Sequence, residues 1–537
     1  MKNQLVADIL YQIADLLDLK GEIFFKTRAY RQAAQTIEVL DEDIEIVANE
    51  NRLKDIPGVG EALAKKIKEI VETNKLVYLE ELKKEIPEEL LKMLNISGLG
   101  PKRVASLYKN LGIKTIEQLR KACVDHKLRD LDGFGELLEQ NILRGIQVME
   151  KTSGRALLYI AFYDGNNYIS YLKKFDKIKR LSLAGSLRRR KETIGDIDIL
   201  VSSDFPDEVM DFFVKYPEVQ RVLLKGSTKT SVVLNDNLQV DLRVVEDKSF
   251  GAALQYFTGS KEHNVKMRSI AIKKGFKLNE YGLFDKESER YVVGKNEEEI
   301  YRKLGLDYIE PEMRENRGEI EIAAASKLPR LISYDDLKGD LHIHSNWSDG
   351  IESIESIARF CKKIGYRYVG ICDHSQSLRI ARGLSEERIF KKIGEIEKIN
   401  KKISNFKVFC GTECDIKPDG TLDYSDKMLE KFDFVCAGIH LNFKMSLEDA
   451  TNRIINAMEN EHVDCIAHPT CRLMGRREPF DLDMEKIFEK AKETKTFLEI
   501  NSFPDRLDLN DLHVKQAKEK NVKFIINTDA HNLSHLS

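Results

Sequence analysis

Two aspartates separated by one apolar residue offer the clearest chemistry in this chain. Successive side chains of a β-strand point to opposite faces, so Asp196 and Asp198 share one face. Ile197 and Ile199 then lie on the other face, toward a core. Two carboxylates at this spacing repel each other unless a cation lies between them, and hard oxygen ligands suit Mg²⁺. The alternative is an exposed strand whose two acids form salt bridges.

The residues just upstream favour the metal interpretation. Gly185 and Ser186 can present backbone N–H groups to an anion, and four consecutive cations follow from Arg188 to Lys191. Gly195 directly precedes the first aspartate. Metal-binding acids beside an anion cradle are what phosphoryl or nucleotidyl transfer needs. We therefore predict a phosphoryl-transfer site in this tract.

A second set of metal-capable residues begins after residue 338. Seven apolar strands, separated by helices, each run into such a residue, a pattern that describes a TIM-like (β/α)₇ barrel with its site at the carboxyl ends of the strands. The residues at these ends are His342, His344, Asp349, His374, Glu413, His440, His468, Glu499, Asp529 and His531. A single histidine in a core strand is usually only hydrogen-bonded, but seven such coincidences predict a metal centre.

One turn pattern occurs three times in the first 150 residues, as an apolar residue, then Gly-apolar-Gly, then a helix. The copies have their glycines at Gly58 and Gly60, at Gly98 and Gly100, and at Gly133 and Gly135. Glycines permit a tight turn whose N–H groups, at a helix N-terminus, can hold a DNA phosphate without reading the base sequence. The pattern resembles the helix-hairpin-helix motif. Asp132 and Glu136 flank the third turn and disfavour phosphate, so this copy is interpreted as structural.

Composition restricts the class of protein. The 537 residues are 42% hydrophobic and 33% charged, which indicates a soluble chain of three to five domains. No apolar run approaches the roughly 18 residues of a membrane span, and the N-terminus lacks a signal-peptide core. The eight cysteines lack paired spacing, which favours reduced thiols and a cytoplasmic location. The net charge is only −3, so nucleic acid must bind to local basic patches.

The pattern of apolar residues predicts where elements change. Residues 1–150 are predicted to be helical, residues 250–318 to mix helix and short strand, and Glu319–Ser333 to be a linker. Between them we predict strands at Ile178–Leu183, Ile197–Ser202, Arg221–Leu224, Thr230–Leu234 and Leu238–Val245.

The tract around Asp196 resembles family X DNA polymerases. Further motifs of that family follow in order, at Val240–Arg243, Tyr256–Ser260, His263-Asn264, Arg268 and Lys274–Tyr281. The resemblance spans roughly residues 1–318. It implies a nucleotidyltransferase palm with a small thumb subdomain.

The resemblance implies roles for single residues. Asp196 and Asp198 would hold two metal ions, and Asp241 would join the catalytic ion and help to activate the primer 3′-hydroxyl. The nucleotide would be held by Gly185, Ser186, Arg189, Gly195, Tyr256, Phe257, Gly259 and Asn264. Among these, Tyr256, Phe257 and Gly259 would line the sugar and Asn264 would reach the base. Arg190 departs from the family, which usually has glycine there, and we expect it to face solvent or DNA.

The N-terminal region resembles the small lyase domain of the same family. Lys26, Arg28, Tyr30 and Arg31 would form a pocket for a 5′-phosphate. Lys66 occupies the position of a Schiff-base lysine in animal relatives, although a solvated helix lysine is the preferred interpretation. The residues predicted to bind DNA are Lys26, Arg31, Gly58, Gly60, Gly98, Gly100 and Arg268.

Residues 336–537 resemble the PHP (polymerase and histidinol phosphatase) superfamily. This resemblance implies a phosphoesterase with up to three metal ions. Its ligands would be His342, His344, Asp349, His374, Glu413, His440, His468, Asp529 and His531. Mixed histidine and carboxylate ligation suits Mn²⁺ or Zn²⁺ better than Mg²⁺. Arg472 and Arg506 follow two strand ends and are candidates to bind phosphate.

Together these features predict a multidomain family X DNA polymerase with a C-terminal PHP barrel. It would fill gaps in DNA with deoxynucleoside triphosphates as a cytoplasmic monomer, and hydrolyse 3′ ends, with abasic-site cleavage left open. The predicted domains are a lyase-like helical domain (1–88), a second helical subdomain (89–150), the palm (151–245), the thumb (246–318), a linker (319–335) and the barrel (336–537). Two alternatives are a polymerase fused to a small-molecule phosphatase, and a non-catalytic DNA-binding scaffold.

Overall fold

The computed structural model divides the chain into two compact units. It describes residues 2–20, 24–38, 40, 42–73, 75–94, 96, 99–129, 131, 133–152 and 154–536. One unit is Thr152–Asp336, and the other contains Met1–Lys151 and Leu337–Ser537. Among the described residues, no helix combines the length and the apolar character needed to cross a membrane.

Helices make up the regular structure described in residues 2–152. They are α1 Lys2–Lys20, α2 Phe24–Glu38, α3 Ile44–Asn49, α4 Glu61–Thr73, α5 Val77–Glu85, α6 Glu88–Met93, α7 Pro101–Leu111, α8 Ile116–Val124 and α9 Glu136–Thr152. Apolar residues three or four apart, such as Leu10, Ile13 and Leu17 in α1, are fully buried in one shared core. This confirms the predicted helical region with its hairpin turns.

The palm is a five-stranded sheet in the order β2-β4-β7-β6-β5. Strands β1 and β3 form a separate two-stranded pair. The elements of the palm are β1 Ala156–Leu157, α10 Leu158–Leu172, β2 Arg180–Leu183, α11 Gly185–Arg188, β3 Thr193–Ile194, β4 Asp196–Ser202, α12 Pro206–Phe213, β5 Val219–Lys225, β6 Lys229–Leu234 and β7 Gln239–Val245. Strands β4 and β7 are parallel, and Asp198 pairs with Asp241 across them. This register brings together acids that are 43 positions apart.

The thumb subdomain continues the same unit. It contains α13 Phe250–Thr258, α14 Lys261–Lys273, β8 Phe276–Asn279, β9 Gly282–Asp285, β10 Tyr291–Val293, α15 Glu297–Lys303 and α16 Glu319–Ala324. Helix α16 shows that the linker predicted over Glu319–Ser333 is wrong for its first six residues. Glu319 is buried and its carboxylate lies 2.8 Å from His263 Nδ1, so a partner that is distant in sequence holds this segment in place.

A buried ion-pair network stabilises the contact between palm and thumb. Arg314 is fully buried and donates to Glu297 Oε1 at 2.5 Å, while Arg188 donates to Glu297 Oε2 at 2.6 Å. Burial acts to raise the pKa of Glu297, but the two guanidinium groups outweigh it and lower the pKa to about 2. Glu297 is therefore ionised in the folded unit at any pH above this value.

We expect Glu297→Gln to destabilise the unit Thr152–Asp336 by about 3–5 kcal/mol at pH 7, because two arginines lose their shared counter-charge. The folded pKa lies below the ordinary value of 4.5, so this stabilisation is complete above pH 4.5 and is lost as the pH falls toward 2. Urea unfolding followed by hydrogen exchange of peptides from this unit measures the difference. Glu298→Gln, at an exposed position in the same helical turn, is the matched control. Equal stability of the two variants at pH 7 would contradict the prediction.

The C-terminal part is a parallel barrel of seven strands in chain order. Its strands are β11 Gly339–Ile343, β12 Tyr368–Ile371, β13 Lys407–Asp415, β14 Phe434–Gly438, β15 Cys465–Ile466, β16 Phe497–Asn501 and β17 Phe524–Asn527. Its helices are α17 Ile354–Lys363, α18 Glu386–Lys402, α19 Asp426–Leu429, α20 Leu447–Met458, α21 Met484–Thr494 and α22 Asp511–Glu519. Ile343 bridges to Ala530, so the first strand nearly meets the last and the predicted (β/α)₇ barrel is confirmed.

Candidate catalytic centres

The palm brings three carboxylates to one point. Oxygens of Asp196, Asp198 and Asp241 lie within 4.8 Å of one another. Burial, followed by the two neighbouring carboxylates, raises the pKa of Asp198 to about 7, and burial also raises the pKa of Asp196. These shifts record uncompensated negative charge, which a divalent cation at this position would neutralise. The donor set is all oxygen and therefore fits Mg²⁺.

Asp241 differs from the other two acids because it has partners within the protein. Lys229 Nζ lies 2.5 Å from Asp241 Oδ2, and Gln239 donates to Asp241 Oδ1 at 2.8 Å. Burial acts to raise the pKa of Asp241, but hydrogen bonds from Lys229, Ser231 and Gln239 outweigh it and lower the pKa. Sequence reasoning missed Lys229. Its position in register with the strand of Asp241 would have been the signal.

The turn that precedes these acids requires glycine at position 185. Gly185 has a φ of +62°, and a Cβ at this position would lie 2.1 Å from Asp198 Oδ2. At Gly195 a Cβ would lie 3.0 Å from Arg155 Nη1, whose guanidinium donates to Thr193 O at 2.6 Å. Gly185 thus lies against Asp198, and Gly195 directly precedes Asp196, while an anion cradle formed with Ser186 stays a prediction.

The arginines beside this turn have protein partners that sequence reasoning did not predict. Arg189 Nε donates to Glu315 at 2.8 Å, and its Nη1 donates to the Thr258 carbonyl. Arg190 has a φ of +56°, and its guanidinium lies 4.1 Å from the centre of the Phe162 ring. Arg190 is half-buried, so part of its side chain faces solvent, and a contact with DNA stays a prediction.

The predicted sugar and base contacts lie on α13 and α14. Tyr256 and Phe257 end α13, and Gly259 follows with a φ of +71°. The Asn264 side chain is almost buried, donating to the Tyr256 carbonyl and accepting from Gln255, each at 2.7 Å. Asn264 therefore orients the turn of Tyr256 in this structure, and a contact with a base stays a prediction. Arg268 is half-buried farther along α14.

The barrel centre is organised around one buried carboxylate. Glu413 Oε1 lies 2.9 Å from both His440 Nε2 and His468 Nε2. Glu413 Oε2 lies 3.0 Å from His374 Nδ1 and 3.4 Å from His342 Nε2. Burial acts to raise the pKa of Glu413, but the surrounding histidines outweigh it and hold the pKa well below its ordinary value.

Eight of the nine predicted ligands fall into three overlapping groups whose ligand atoms lie within 4.8 Å of one another. The groups are His344, Asp349, His374 and His531; His342, His344, Glu413 and Asp529; and His374, Glu413 and His440. The ninth residue, His468, contacts Glu413. Buried nitrogens of His342, His344, His374 and His468 have no hydrogen-bond partner in the described structure. Unpaired buried imidazole nitrogens beside carboxylates fit divalent metal ions.

The histidines of the centre differ in protonation. Burial, with positively charged neighbours, lowers the pKa of His344 and of His468 to about 4, so both are neutral near pH 7. Burial acts in the same direction on His440 and His531, but adjacent carboxylates outweigh it and raise the pKa of each to about 9. A metal ion must displace these protons, so acid opposes metal loading at this centre.

Two carboxylates behind the centre orient the candidate ligands. Sequence reasoning placed Glu499 at a strand end without naming it a ligand, and assigned no role to Asp415. Glu499 lies 2.8 Å from His342 Nδ1 and accepts from the His468 N–H at 2.7 Å. Asp415 accepts from the backbone N–H of His440 at 3.0 Å and lies 3.2 Å from its ring Nδ1. It lies two residues after Glu413 on the same strand, so strand periodicity could have identified it. Such partners set the tautomer and orientation of ligating histidines.

The two arginines predicted to bind phosphate have different surroundings. Arg506 Nε lies 3.3 Å from Asp529, and its buried Nη1 has no hydrogen-bond partner in the described structure. Arg472 Nε donates to the Arg506 carbonyl at 2.8 Å and so holds the loop of Arg506. Arg506 is therefore placed at the metal centre, whereas Arg472 supports it.

The described glycines of the hairpin turns have open surroundings, except Gly58, where a Cβ would lie 3.3 Å from Gln32 Cγ. Gly58 has a φ of +86° and Gly133 a φ of +78°, and a Cβ at Gly60 or Gly100 would meet no atom within 4 Å. Gly100 precedes α7, whose first turn has no side-chain cap. Its N–H groups are therefore accessible to an anion. Gly98 and Asp132 lie outside the described residues.

The predicted 5′-phosphate pocket is divided between two faces of α2. Arg31 pairs with Asp15 at 2.6 Å and with Asp18 at 2.8 Å, so its assignment to a phosphate is not supported by this geometry. Arg28 and Arg31 line a cavity of about 680 Å³ together with the turn at Gly100. Lys26 and Tyr30 instead share another face of α2, because residues four apart in a helix lie on one face.

Lys66 lies near Lys26 and therefore not on the face of α2 that carries Arg28 and Arg31. Its Nζ is 3.9 Å from the centre of the Tyr78 ring. Burial lowers the pKa of Lys66, and the charge of Lys26 adds to this effect. Lys66 is half-buried, so the interpretation as an ordinary solvated lysine loses support.

Family models match four parts of this chain, and one relative matches its whole length. Residues 1–76 match the helix-hairpin-helix domain, 89–147 the SAM-like helix-hairpin-helix tandem, 253–315 the DNA polymerase beta thumb and 340–503 the PHP domain. A DNA polymerase/3′-5′ exonuclease PolX of Bacillus subtilis (strain 168) is 40% identical over 538 residues, covering 100% of this chain and 94% of the relative. The chain belongs to the family X DNA polymerases with a C-terminal PHP domain.

Two further relatives match separate parts of this family member. DNA polymerase lambda of Rattus norvegicus is 27% identical over 296 residues, which are 48% of each chain. A probable phosphatase of Thermoanaerobacter sp. (strain X514) is 32% identical over 203 residues, which are 36% of this chain and 78% of the relative. Membership of this family implies divalent metal ions, DNA and deoxynucleoside triphosphates.

Proposed function

We propose that this protein is a DNA-directed DNA polymerase that fills gaps during repair and also hydrolyses DNA from its 3′ ends. The observation that carries the proposal is the presence of two distinct metal-capable clusters in one chain, the aspartates of the palm and the histidine-rich centre of the barrel. The clusters share no residue and differ in ligand chemistry. Their products are opposite, since one extends a strand and the other shortens it.

In the palm, we propose that Asp196 and Asp198 hold two Mg²⁺ ions and that Asp241 shares the catalytic one. When bound, the ions lower the pKa of the primer hydroxyl and stabilise the in-line transition state. Gly185 and Ser186 present N–H groups to the triphosphate. Lys229 must release Asp241 for the ion to bind, because its ammonium group occupies one face of that carboxylate.

In the barrel, we propose up to three Mn²⁺ or Zn²⁺ ions on the nine predicted ligands. When bound, the ions activate a water molecule and polarise the phosphodiester. Glu413 belongs to two of the three groups, while Glu499 and Asp415 contact the rings of His342 and His440 and hold them in orientation. Arg506 would bind a substrate phosphate, a role supported by its contact with Asp529 and by a buried guanidinium nitrogen that has no hydrogen-bond partner in the described structure.

The proposed division of labour follows the predicted domains. Residues 1–150 hold gapped or primer-template DNA through their hairpin turns, 151–318 extend the primer and 336–537 hydrolyse 3′ ends. The protein acts as a monomer in the cytoplasm.

One assay tests the proposal. A labelled gapped duplex is incubated with the full chain and Mn²⁺, with and without deoxynucleoside triphosphates. We expect extension when nucleotides are present and stepwise shortening when they are absent. Hydrolysis of small phosphate monoesters without any shortening would favour a small-molecule phosphatase. Binding with neither reaction would favour a scaffold.

We also propose a lyase activity for Lys66, because burial and Lys26 favour the neutral amine that attacks an aldehyde. Borohydride should trap a covalent complex with DNA that carries an incised abasic site. Lys66→Ala should reduce trapping by about tenfold or more. Lys65→Ala, at the exposed neighbouring lysine, is the matched control. Equal trapping by Lys66→Ala and wild type would remove this assignment.

A further inference from the structure

The loop that follows the candidate ligand His374 presents an apolar side chain to solvent. Ile380 is 93% exposed, the highest value for any large apolar residue in the described part of the chain. A single exposed apolar residue is common on protein surfaces, so the exposure of Ile380 matters only together with its position and its neighbours. Ile380 lies six positions after His374, at the carboxyl ends of the barrel strands where the candidate centre lies.

The loop holds Ile380 in a defined position. Leu378, Ala381 and Leu384 on either side of it are buried. Leu384 N donates to the His374 carbonyl at 2.9 Å, which returns the loop to the end of the strand from which it left.

Backbone contacts within the loop leave little freedom. Ala381 N and Gly383 N each donate to the Leu378 carbonyl at 3.1 Å, and Ser377 N donates to Asp423 at 2.7 Å. A Cβ at Gly383 would lie 1.9 Å from the Ser375 carbonyl, so this close approach requires glycine. A loop held in this way presents its exposed isoleucine as a fixed feature.

Two arginines flank the isoleucine. Arg379 and Arg382 are both exposed, and neither guanidinium forms a hydrogen bond or ion pair with any residue that the structure describes. The acids nearest in sequence have other surroundings. Asp373 pairs with the buried Lys392, Glu386 and Glu387 lie in the first turn of α18, where negative charge is favourable for the helix, and Glu387 pairs with Lys391. The tip of the loop is therefore apolar in its centre and cationic on both sides.

We propose that Ile380 is a wedge that separates the terminal base pair of DNA before its 3′ end enters the barrel centre. An apolar side chain between bases unstacks them, and flanking arginines bind the phosphates on either side. Once the pair is separated, the last phosphodiester could approach the buried candidate ligands without the complementary strand beside it. The inference rests on the proposed 3′-end hydrolysis and names the residues that open its substrate.

The test compares paired and unpaired 3′ ends with the full chain. For Ile380→Ala, we expect hydrolysis of a paired 3′ end to fall by about tenfold or more, and hydrolysis of a single strand to stay within about twofold of wild type. Hydrolysis of bis(p-nitrophenyl) phosphate, which has no bases to separate, should not change. Ile380→Leu should restore most of the activity on paired ends. Ile332→Ala, at another exposed isoleucine, should behave as wild type.

A spectroscopic signal reports the separation itself. With 2-aminopurine as the penultimate base of a 3′ end protected by a methylphosphonate linkage, wild type should increase the fluorescence and Ile380→Ala should not. Arg379→Ala and Arg382→Ala should weaken binding of this duplex and reduce its salt dependence.

Each contrary outcome has a definite meaning. Equal effects of Ile380→Ala on paired and single-stranded ends, or unchanged activity on both, would overturn the wedge. The wedge would also be overturned if Ile380→Ala changed the oligomeric state but not the ratio of paired-end to single-strand hydrolysis. Ile380 would then belong to a contact between proteins. If wild type shortened no 3′ end at all, the proposed function itself would fail.

Discussion

Replacing Asp196 with alanine is expected to abolish primer extension, by roughly a thousandfold or more, and to leave 3′-end hydrolysis within about twofold of wild type. Asp196 is one of three carboxylates that converge in the palm, and its loss removes one carboxylate ligand from the proposed Mg²⁺ site. None of the barrel ligands belongs to this group. Extension and shortening of the same labelled duplex are measured in parallel.

The control for this variant is Asp204→Ala. Asp204 lies just after the same strand, but it pairs with Lys179 at 2.5 Å and does not belong to the carboxylate group. It should keep both activities. If Asp196→Ala lost both activities while remaining folded, the model of two independent centres would be wrong.

The reverse result is expected from Glu413→Gln, which should reduce 3′-end hydrolysis by roughly a thousandfold or more and leave primer extension unchanged. Glu413 contacts His440 through Oε1 and His374 through Oε2. The amide of glutamine carries no negative charge, and only one of its two terminal atoms can accept a hydrogen bond or bind a metal ion. His344→Ala should have the same direction of effect, because His344 belongs to two of the three groups.

Metal content separates this loss from a loss of fold. The Glu413→Gln protein should retain less Mn²⁺ or Zn²⁺ after dialysis than wild type, while its circular dichroism stays the same. Asp419→Asn, in an exposed loop beyond the same strand, is the matched control and should keep its metal. A variant that kept both its metal and its hydrolysis would contradict the central position of Glu413.

Some of the palm site follows from local sequence, because strand geometry alone places Asp196 and Asp198 on one face. The third carboxylate does not follow in this way. Asp241 joins them only through the parallel pairing of two strands, and its ammonium partner Lys229 comes from a neighbouring antiparallel strand. The family resemblance supplied Asp241, whereas Lys229 could be found only from the pairing of its strand with the strand of Asp241.

The barrel shows the same division. Apolar strands that end in metal-capable residues predict a barrel and its site, because parallel strands bring their carboxyl ends to one edge. The position of Glu413 among five histidines arises only when all seven strands close. The sequence also could not show that Lys392, fully buried on α18, lies 2.8 Å from Asp373 beside His374.

Three predictions concern residues whose partners are distant in sequence. The linker at Glu319 is wrong for its first six residues, whereas the nucleotide role of Arg189 and the phosphate role of Arg31 stay predictions. Glu319 begins a helix, and His263 holds it. Arg189 is held by Glu315, and Arg31 by Asp15 and Asp18.

Sequence alone therefore determined the element types, the two candidate centres and the family, since periodicity and motif spacing are local properties. Tertiary structure decided which charged groups are paired, which histidines are neutral and which side chains, such as Ile380, stay exposed. These properties depend on burial and on Coulomb interactions between groups that only the folded chain brings together.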